Sequence, residues 1–322
     1  MQVSFIIPLY NCLPLTQAML ASLRATLPPG LAGEIIFVDD GSTDGTREWL
    51  AGLDPPVANP SNPPPSPPVP CRTLLNEKNL GFAGACNRGA ALAQGEFLFF
   101  LNNDLVLLPG WLEPMLAAFA RLPDAGLVGN VQVNAATGVV DHTGIYFNHK
   151  GKPAHATECS LGERLRGHRP TPALTGACFA ISGGLWRSLG GFDEGFHNGC
   201  EDIDLALRAL AAGRRNYVML RSTVRHHLSQ SPGRKHRDEQ NTRRLVERWR
   251  DRIAALALKD WCRDYLARNW DGARDTRDHA LACGAFFYLL GLNPTPPRPA
   301  LDGIRAAMEH ELARWRRLDA GS

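Results

Sequence analysis

The sequence predicts an α/β fold, in which a mixed, mainly parallel sheet is flanked by helices and followed by a helical C-terminal extension. Two observations carry this prediction. Short apolar strands alternate strictly with helices over about the first hundred residues, which is the pattern of an open sheet with helices on both faces. The composition of the 322 residues, 44% apolar and 21% charged, is that of an ordinary globular chain.

Four strands and four helices follow one another in this first part. Fully buried parallel strands are nearly continuous in apolar residues, and such runs predict strands at residues 3–7, 34–38, 73–75 and 97–101. The segments between and after them predict helices at residues 15–27, 46–53, 82–93 and 111–121.

The pattern changes after residue 125. Strands are predicted at residues 127–133, 177–182 and 217–220, and a helix at residues 202–212. From about Arg234 the chain becomes helical and basic, and a last helix is predicted at about residues 301–318. We therefore predict a sheet domain, residues 1–232, and a helical extension, residues 233–322.

A proline-rich segment interrupts the sheet domain. Nine prolines lie between Asp54 and Arg72, and proline neither continues a helix nor donates a hydrogen bond in a central strand. Residues 54–72 are therefore predicted to be an extended loop inserted into the domain. A docking site for a proline-recognising partner is the alternative interpretation.

Charge, cysteines and hydropathy argue against several classes of protein. The net charge is +3, from 35 Lys and Arg against 32 Asp and Glu, so no nucleic-acid partner is expected. The eight cysteines form no C-x-x-C pair, which argues against a zinc cluster or a disulfide framework. No run approaches the ~18 apolar residues of a membrane span, and we expect a cytoplasmic protein in a reducing compartment.

Polar motifs follow three predicted strands at their carboxyl ends, where open α/β sheets bind ligands. Tyr10 and Asn11 follow the first strand, residues 39–42 (Asp-Asp-Gly-Ser) follow the second, and residues 102–104 (Asn-Asn-Asp) follow the fourth. Neither G-x-G-x-x-G nor G-x-x-x-x-G-K-[ST] occurs, so a nicotinamide enzyme or a P-loop NTPase has no support.

Seven short motifs, in order, resemble a family 2 glycosyltransferase of the GT-A fold, in its bacterial rhamnosyltransferase-like branch. The resemblance covers about residues 1–232, and seven motifs in the right order make it more specific than any single motif. The motifs are Ile6-Ile7-Pro8-Leu9-Tyr10-Asn11, Val38-Asp39-Asp40-Gly41-Ser42-Thr43-Asp44, Asn79-Leu80-Gly81-Phe82-Ala83-Gly84 with Asn87 and Gly89, Phe100-Leu101-Asn102-Asn103-Asp104, Gly190-Gly191-Phe192-Asp193-Glu194, Glu201-Asp202-Ile203-Asp204-Leu205 and Val224-Arg225-His226-His227.

The resemblance implies a nucleotide site at the first strand ends. Asp40 would accept the imide N–H of a uracil or thymine ring, and Tyr10 would stack on that base. The alternatives are a helix-capping turn for residues 39–42 and packing against the sheet for the glycine-bearing helix at residues 82–93. The residues implied in nucleotide binding are Pro8, Tyr10, Asn11, Asp40, Asn79, Gly81, Asn87 and Asn103.

The resemblance also implies a divalent cation, Mg²⁺ or Mn²⁺, held by Asp104, His226 and Asn102. Such a cation neutralises the charge that grows on a nucleoside diphosphate leaving group. Many relatives have two acids spaced D-x-D, whereas this chain has Asn102 at the first position. An asparagine-rich turn and a structural histidine are the alternatives.

For catalysis the resemblance implies Asp202 as general base, with Glu201 beside it. An acidic first helical turn is the alternative, because carboxylates favour the positive end of a helix. Asp204 lies four residues before Arg208 and is expected to pair with it. The residues implied in sugar or acceptor binding are Thr175, Gly176, Trp186, Phe192 and Asp193; core packing is the alternative for the two aromatic rings.

The implied function is inverting transfer of a sugar from a UDP- or dTDP-linked donor to a hydroxyl of a glycan or lipid-linked glycan, in cell-surface polysaccharide synthesis. A nucleotide-sugar-binding module without turnover is the alternative, because the first acid of D-x-D is missing. A sugar-1-phosphate nucleotidyltransferase is disfavoured, since no glycine-rich basic loop follows the first strand.

A basic segment gives a further candidate surface. Between Arg221 and Arg252 the chain has ten Lys and Arg against four Asp and Glu. A basic helix here is a candidate for contact with an anionic membrane surface at the inner face of the membrane. A solvated helix that packs on the protein is the alternative.

Overall fold

A computed structural model describes residues 2–53, 69–227, 238–269 and 276–320. The chain divides into two compact units, of which unit 1 contains residues 1–145 and 155–238, and unit 2 contains residues 146–154 and 239–322. The boundary predicted near residue 232 and most of the predicted proline-rich loop lie outside the described residues, so both stay predictions.

Twelve strands are described. In chain order they are β1 (Val3–Leu9), β2 (Gly33–Asp39), β3 (Cys71–Leu75), β4 (Phe97–Leu101), β5 (Leu105–Leu107), β6 (Ala125–Asn134), β7 (Val140–His142), β8 (Ile145–Phe147), β9 (Pro153–His155), β10 (His168–Thr171), β11 (Cys178–Ser182) and β12 (Arg215–His226). All of them except the β8–β9 pair belong to one sheet.

Ten helices accompany these strands. They are α1 (Leu13–Thr26), α2 (Thr46–Ala51), α3 (Gly81–Leu92), α4 (Leu112–Arg121), α5 (Leu161–Arg166), α6 (Gly183–Leu189), α7 (Glu201–Ala211), α8 (Asp238–Asn269), α9 (Thr276–Leu289) and α10 (Arg298–Ala320).

The large sheet is mixed. Its strand order is β10-β12-β6-β11-β4-β1-β2-β3, with β5 beside β12 and β7 beside β6. The four strands β3, β2, β1 and β4 are parallel to one another, as are β6 and β12. The parallel strands are joined through helices that cover the sheet, which is the arrangement that strand–helix alternation favours. The predicted α/β class is confirmed.

Both faces of the sheet are covered by apolar side chains. Along β1, Phe5 and Ile7 belong to the larger core, which includes buried residues of α1 and α4. On the opposite face Ile36 and Val38 pack with Ala85 of α3. Ile6, which alternates with Phe5 and Ile7 along β1, is also fully buried, so residues on both faces of β1 are buried, which explains its continuous apolar run.

The close approach of α3 to the sheet depends on Gly89. A Cβ at this position would lie 2.7 Å from Cγ2 of Ile6 and 2.9 Å from Cγ2 of Val38. At Gly89, therefore, the structure favours the packing alternative for the glycine-bearing helix.

We expect Gly89→Ala to lower the free energy of unfolding by about 1–3 kcal/mol, because the added methyl overpacks the interface between α3 and the sheet. Gly184→Ala is the control, since a Cβ there would meet nothing within 4 Å, and it should be neutral or slightly stabilising. Urea denaturation of both variants measures the difference. Equal midpoints would show that α3 can move away from the sheet without loss.

Unit 2 contains the long basic helix α8, which has non-helical backbone angles at Trp249. Leu245 and Ile253, on its apolar side, are fully buried. Asp251 pairs with Arg305 at 2.9 Å. The packing of this apolar side favours the alternative of a helix that packs on the protein, and membrane contact stays a prediction.

No helix in the described parts of the chain combines the length and apolar character needed to cross a membrane.

Most predicted elements of the sheet domain are present with shifted ends. β12, Arg215–His226, is much longer than the predicted strand at residues 217–220. The short strands β5, β7 and β10 were not predicted, because three or four residues carry too little periodicity to be recognised.

Candidate active site

The carboxyl ends of β1, β2 and β4 lie side by side at one edge of the sheet. β1 is central, and its parallel neighbours are β2 on one side and β4 on the other. Strand order therefore reverses at β1, which is where open α/β sheets form a ligand crevice. The loops that begin at Tyr10, Asp40 and Asn102 meet at this rim.

Hydrogen bonds tie the rim loops together. The N–H of Asn11 donates to Oγ of Ser42 at 2.8 Å, and Oδ1 of Asn11 accepts from the N–H of Thr43 at 2.8 Å. Nδ2 of Asn103 donates to Oγ1 of Thr16 at 3.0 Å. Asn11 and Asn103, both predicted to bind nucleotide, thus have structural roles in shaping the rim.

Asp40 is buried and its carboxylate accepts three hydrogen bonds. Oδ1 accepts from Nδ2 of Asn76 at 2.7 Å and from the N–H of Leu80 at 2.8 Å, and Oδ2 accepts from the N–H of Gly81 at 2.9 Å. The carboxylate therefore caps the start of α3. An ionised carboxylate has about four acceptor positions, so one remains for a ligand, and capping and base recognition are compatible.

The neighbouring predicted nucleotide contacts differ in accessibility. Tyr10 is 42% exposed and can be reached by a base, whereas Pro8 is half-buried within β1. Oδ1 of Asn79 accepts from the N–H of Gly81 at 3.0 Å. The side-chain amide of Asn87 donates to the backbone carbonyl of Phe192 and accepts from its N–H. The structure therefore favours a role for Asn87 in holding the Phe192 segment over a role in binding nucleotide.

Replacing Asp40 with alanine should have two effects. Loss of the α3 cap is expected to lower the free energy of unfolding by about 1–2 kcal/mol, and loss of the acceptor is expected to weaken UDP binding. Asn79→Ala removes one capping bond and serves as the control for the first effect. Denaturation and calorimetric titration with UDP measure the two effects; full UDP affinity in Asp40→Ala would show that the base is held elsewhere.

Three supporting residues were not predicted from the sequence. Arg47 pairs with Asp39 at 2.7 Å, Asn76 links Asp40 to Arg88, and Asn198 accepts from the N–H of Phe82 at 2.9 Å. Only the left-handed backbone at Asn198, with φ of 52°, has a sequence signal, since asparagine tolerates it. The contacts of Asn76 with Asp40 and of Asn198 with Phe82 join segments that lie far apart in the sequence, whereas Arg47 and Asp39 are eight residues apart.

Asp104 and His226 form a buried pair where β5 meets β12. Antiparallel pairing brings His226 opposite Leu105, and Oδ1 of Asp104 lies 3.2 Å from Nε2 of His226. Both atoms are buried, and neither has a well-oriented hydrogen-bond partner among the described residues. Two close polar atoms without partners suit a third group that both can bind.

The residues present fit a divalent cation. A carboxylate oxygen with an imidazole nitrogen is a donor set for Mn²⁺ or Mg²⁺, and unpartnered buried polar atoms otherwise cost about 1–3 kcal/mol each. The described residues include no cluster of three or more His, Cys, Asp or Glu side chains that could hold a metal. Asn102, the third predicted ligand, is half-buried nearby and donates its N–H to the carbonyl of Ala177 at 2.8 Å.

Asp202 lies in the first turn of α7. Its Oδ2 accepts from the N–H of Gly176 at 2.6 Å, and its Oδ1 accepts from the N–H of Ile203 at 2.8 Å. Asp202 is half-buried, whereas Glu201 is buried and accepts from the N–H of Gly199 at 2.6 Å. Asp202 is therefore the more accessible of the two predicted catalytic acids.

Asp204 has the structural role expected from its spacing. It is fully buried and pairs with Nε of Arg208 at 2.8 Å. Arg208 also donates to the carbonyls of Leu189 and Gly191. The prediction that these two residues pair is confirmed.

The loop at residues 175–177 connects the separate parts of the rim. Gly176 bonds Asp202, and Ala177 bonds Asn102. A Cβ at Gly176 would lie 3.2 Å from the ring of Phe82 at the start of α3, beside the segment that Asp40 caps. Through these contacts the loops of Asp40, Asp104 and Asp202 meet at the same rim of the sheet. His226 joins them through its contact with Asp104.

Two predicted sugar contacts lie in the core instead. Trp186 and Phe192 are both buried, and each packs against Phe100, with ring centroids 4.5 Å and 5.7 Å from it. Their faces are covered, so the structure favours the core-packing alternative over stacking on a sugar. Asp193 accepts from the N–H of Gly195 at 2.9 Å within its own turn.

Comparison with known proteins shows the family to which this chain belongs. The model of the family described as glycosyl transferase family 2 matches residues 4–185. The O-antigen biosynthesis protein RfbC of Myxococcus xanthus is 34% identical over 154 residues, which are 45% of this chain and 12% of RfbC. The N-acetylglucosaminyl-diphospho-decaprenol L-rhamnosyltransferase of Mycobacterium tuberculosis is 28% identical over 255 residues, 70% of this chain and 76% of that enzyme.

A solved structure supports the fold. The crystal structure of GalNAc-T7 with UDP, GalNAc and Mn²⁺ matches 76% of this chain and 47% of its own, with a TM-score of 0.61 at 18% identity. At that identity the likeness shows the fold alone. The chain spans less than a third of the length of two curated relatives that it matches.

Proposed function

Because this chain belongs to glycosyl transferase family 2, we propose that it moves a sugar, with inversion, from a UDP- or dTDP-linked donor to a hydroxyl of a glycan. The observation that carries the proposal is the loop at residues 175–177, which bonds Asp202 on one side and the Asn102 segment beside Asp104 on the other. These bonds support a proposed general base and a proposed diphosphate site at one rim of the sheet.

The nucleobase would lie against Tyr10 and Asp40. The exposed ring of Tyr10 offers a flat face for stacking. The remaining acceptor position of Asp40 would take the imide N–H of uracil or thymine, a donor that cytosine lacks at the same ring position. This supports a UDP- or dTDP-linked donor.

The diphosphate would lie beside Asp104 and His226, whose unpartnered atoms support the binding of a divalent cation there. That cation, when bound, supplies positive charge to a leaving group that becomes more negative. Asn102, at the first position of the D-x-D pattern, contributes no charge, so Asp104 is the one acid in this motif. Further ligands would come from the donor phosphates and water.

Asp202 is proposed as the general base. The acceptor hydroxyl oxygen attacks the anomeric carbon, the bond from that carbon to the diphosphate oxygen breaks, and the hydroxyl proton passes to the carboxylate of Asp202. The N–H of Gly176 holds the carboxylate in place. Attack from the side opposite the leaving diphosphate gives inversion.

The acceptor is proposed to be a glycan in cell-surface polysaccharide synthesis, carried on a lipid. The names of two relatives support this, one an O-antigen biosynthesis protein and one a transferase whose name includes a diphospho-decaprenol acceptor. We also propose that the protein acts at the inner face of the membrane and that the arginines of α8 contact the membrane surface. Thr175 and Gly176 are the candidate acceptor or sugar contacts.

The alternative, a binding module without turnover, is favoured by one observation, the asparagine at the first acidic position. A donor screen by thermal shift should identify the nucleotide sugar, because a bound ligand raises the unfolding temperature. Transfer to candidate glycans with Mn²⁺, with Mg²⁺ and with a chelator then tests turnover. Donor binding without transfer or hydrolysis under any of these conditions would establish the alternative.

A further inference from the structure

Buried polar atoms without a hydrogen-bond partner are concentrated around the Asp104–His226 pair. Of the eight such side-chain atoms found among the described residues, seven belong to unit 1. One of the seven is on Arg208 of α7, and the other six belong to five residues on β6, β7, β12 and the turn before β5. They are Oδ1 of Asp104, Oδ1 of Asn130, Nε2 of Gln132, Nδ1 of His142 and both ring nitrogens of His226. Protein interiors rarely leave such groups unpaired, so this concentration needs an explanation.

Strand register brings these side chains to one face of the sheet. β12 pairs with β6 so that Val224 lies beside Gln132, and β7 pairs with β6 so that His142 lies opposite Gln132. Cross-strand partners project to the same side, as do alternate residues along a strand. Asn130, Gln132 and His142 therefore share a patch with His226, two residues beyond Val224.

The patch contains both donors and acceptors. Nε2 of His142 accepts from the N–H of Thr175 at 3.5 Å, so the ring proton is on Nδ1, which is a donor. Burial holds the pKa of His142 well below its usual value, so the ring stays neutral. Nε2 of Gln132 is a second donor. Oδ1 of Asn130 is an acceptor, because its amide nitrogen already donates to Sγ of Cys178 at 3.2 Å.

We propose that Gln132 and His142 are positioning residues that hold the imidazole of His226 through bound water. This rests on the proposed function, in which Nε2 of His226 and Asp104 share a cation. Nδ1 of His226 then carries the ring proton and needs an acceptor. Water that accepts from these nitrogens and donates to Asn130 pairs the whole patch. A metal-binding histidine is commonly oriented by such a bond to its second nitrogen.

The test is calorimetric titration of Mn²⁺ into the full chain saturated with UDP. Gln132→Met and His142→Phe each remove a donor at similar volume, and each is expected to weaken Mn²⁺ binding about 10- to 100-fold with UDP affinity in the absence of metal unchanged. Excess Mn²⁺ should restore the transfer rate, which a merely structural role would not allow. His142→Asn keeps a donor and should retain most of the affinity.

Val128→Ala is the matched control, because Val128 is buried on the same face of β6 and its loss leaves a cavity without removing a polar group. It should keep the Mn²⁺ affinity. Unchanged affinity in both Gln132→Met and His142→Phe, with loss in His226→Ala, would overturn the inference and leave the proposed function intact. A wild-type chain that binds neither UDP nor Mn²⁺ would overturn both.

A high-resolution crystal structure of the wild-type chain gives a second readout that does not depend on variants folding. Ordered water within hydrogen-bond distance of Nδ1 of His226 and Nε2 of Gln132 would support the inference. A dry contact between these side chains would contradict it.

Discussion

Replacing Asp202 with asparagine is expected to lower the rate of sugar transfer by roughly 100- to 10,000-fold, the range that a general base contributes. The amide keeps the shape of the carboxylate and can still accept from the N–H of Gly176, but it cannot take the proton of the acceptor hydroxyl. UDP affinity should stay nearly unchanged. Initial rates and calorimetric UDP binding on the same preparation measure the two properties.

Asp204→Asn is the matched control for this experiment. Asp204 lies in the same turn of α7 but is buried and paired with Arg208, so its replacement should lower the free energy of unfolding by a few kcal/mol. Molecules that remain folded should turn over normally. A near-normal rate in Asp202→Asn would remove Asp202 from the mechanism, and equal rate losses in both variants would assign the effect to the structure of α7.

Replacing Asp104 with asparagine is expected to abolish Mn²⁺ binding and to lower the transfer rate about 100-fold or more. Charge neutralisation by a cation contributes several kcal/mol to the transition state, and each 1.36 kcal/mol is about tenfold in rate. Oδ1 of Asp104 has no hydrogen-bond partner among the described residues. The metal-free variant should therefore unfold at the wild-type temperature or above it.

Thermal unfolding with UDP, with and without Mn²⁺, separates these effects. The wild-type chain should show a Mn²⁺-dependent rise in unfolding temperature, and Asp104→Asn should not. Asp124→Asn is the control, because Asp124 is a partly exposed acid beside Arg215, at the amino end of β6, and should keep the full rise. A full Mn²⁺-dependent rise in Asp104→Asn would mean that the cation binds elsewhere.

The sheet could be predicted where burial leaves a local pattern. The five residues Phe97–Leu101 are all buried, and their unbroken apolar run predicts the strand with the bounds observed. The same holds for the core of β1 and β2. The predicted strands also fix where their carboxyl ends lie. Because Asp40 and residues 102–104 come directly after two of these ends, their position at one rim of the sheet could be predicted.

Other features leave no such local pattern. β5 has three residues, Leu105–Leu107, and is a strand because β12 pairs with it. Residues 146–154 belong to unit 2 although they lie within the sheet domain in sequence. Trp186 and Phe192 were candidates for sugar contact because aromatic rings serve either purpose, and only packing against Phe100 distinguishes the two.

By itself the sequence determined the α/β class, the strand ends and the identity of the acids at them, because apolar runs and turn residues report burial over a few neighbouring positions. Tertiary structure alone decided which polar atoms would be left without partners. Asp104 meets His226 only because β5 pairs with β12, which lies far from it in the sequence. Gln132 meets His142 only through the register in which the neighbouring strands β6 and β7 pair. Hydrogen-bond satisfaction depends on the distance between atoms in space, which residue spacing along the chain does not specify.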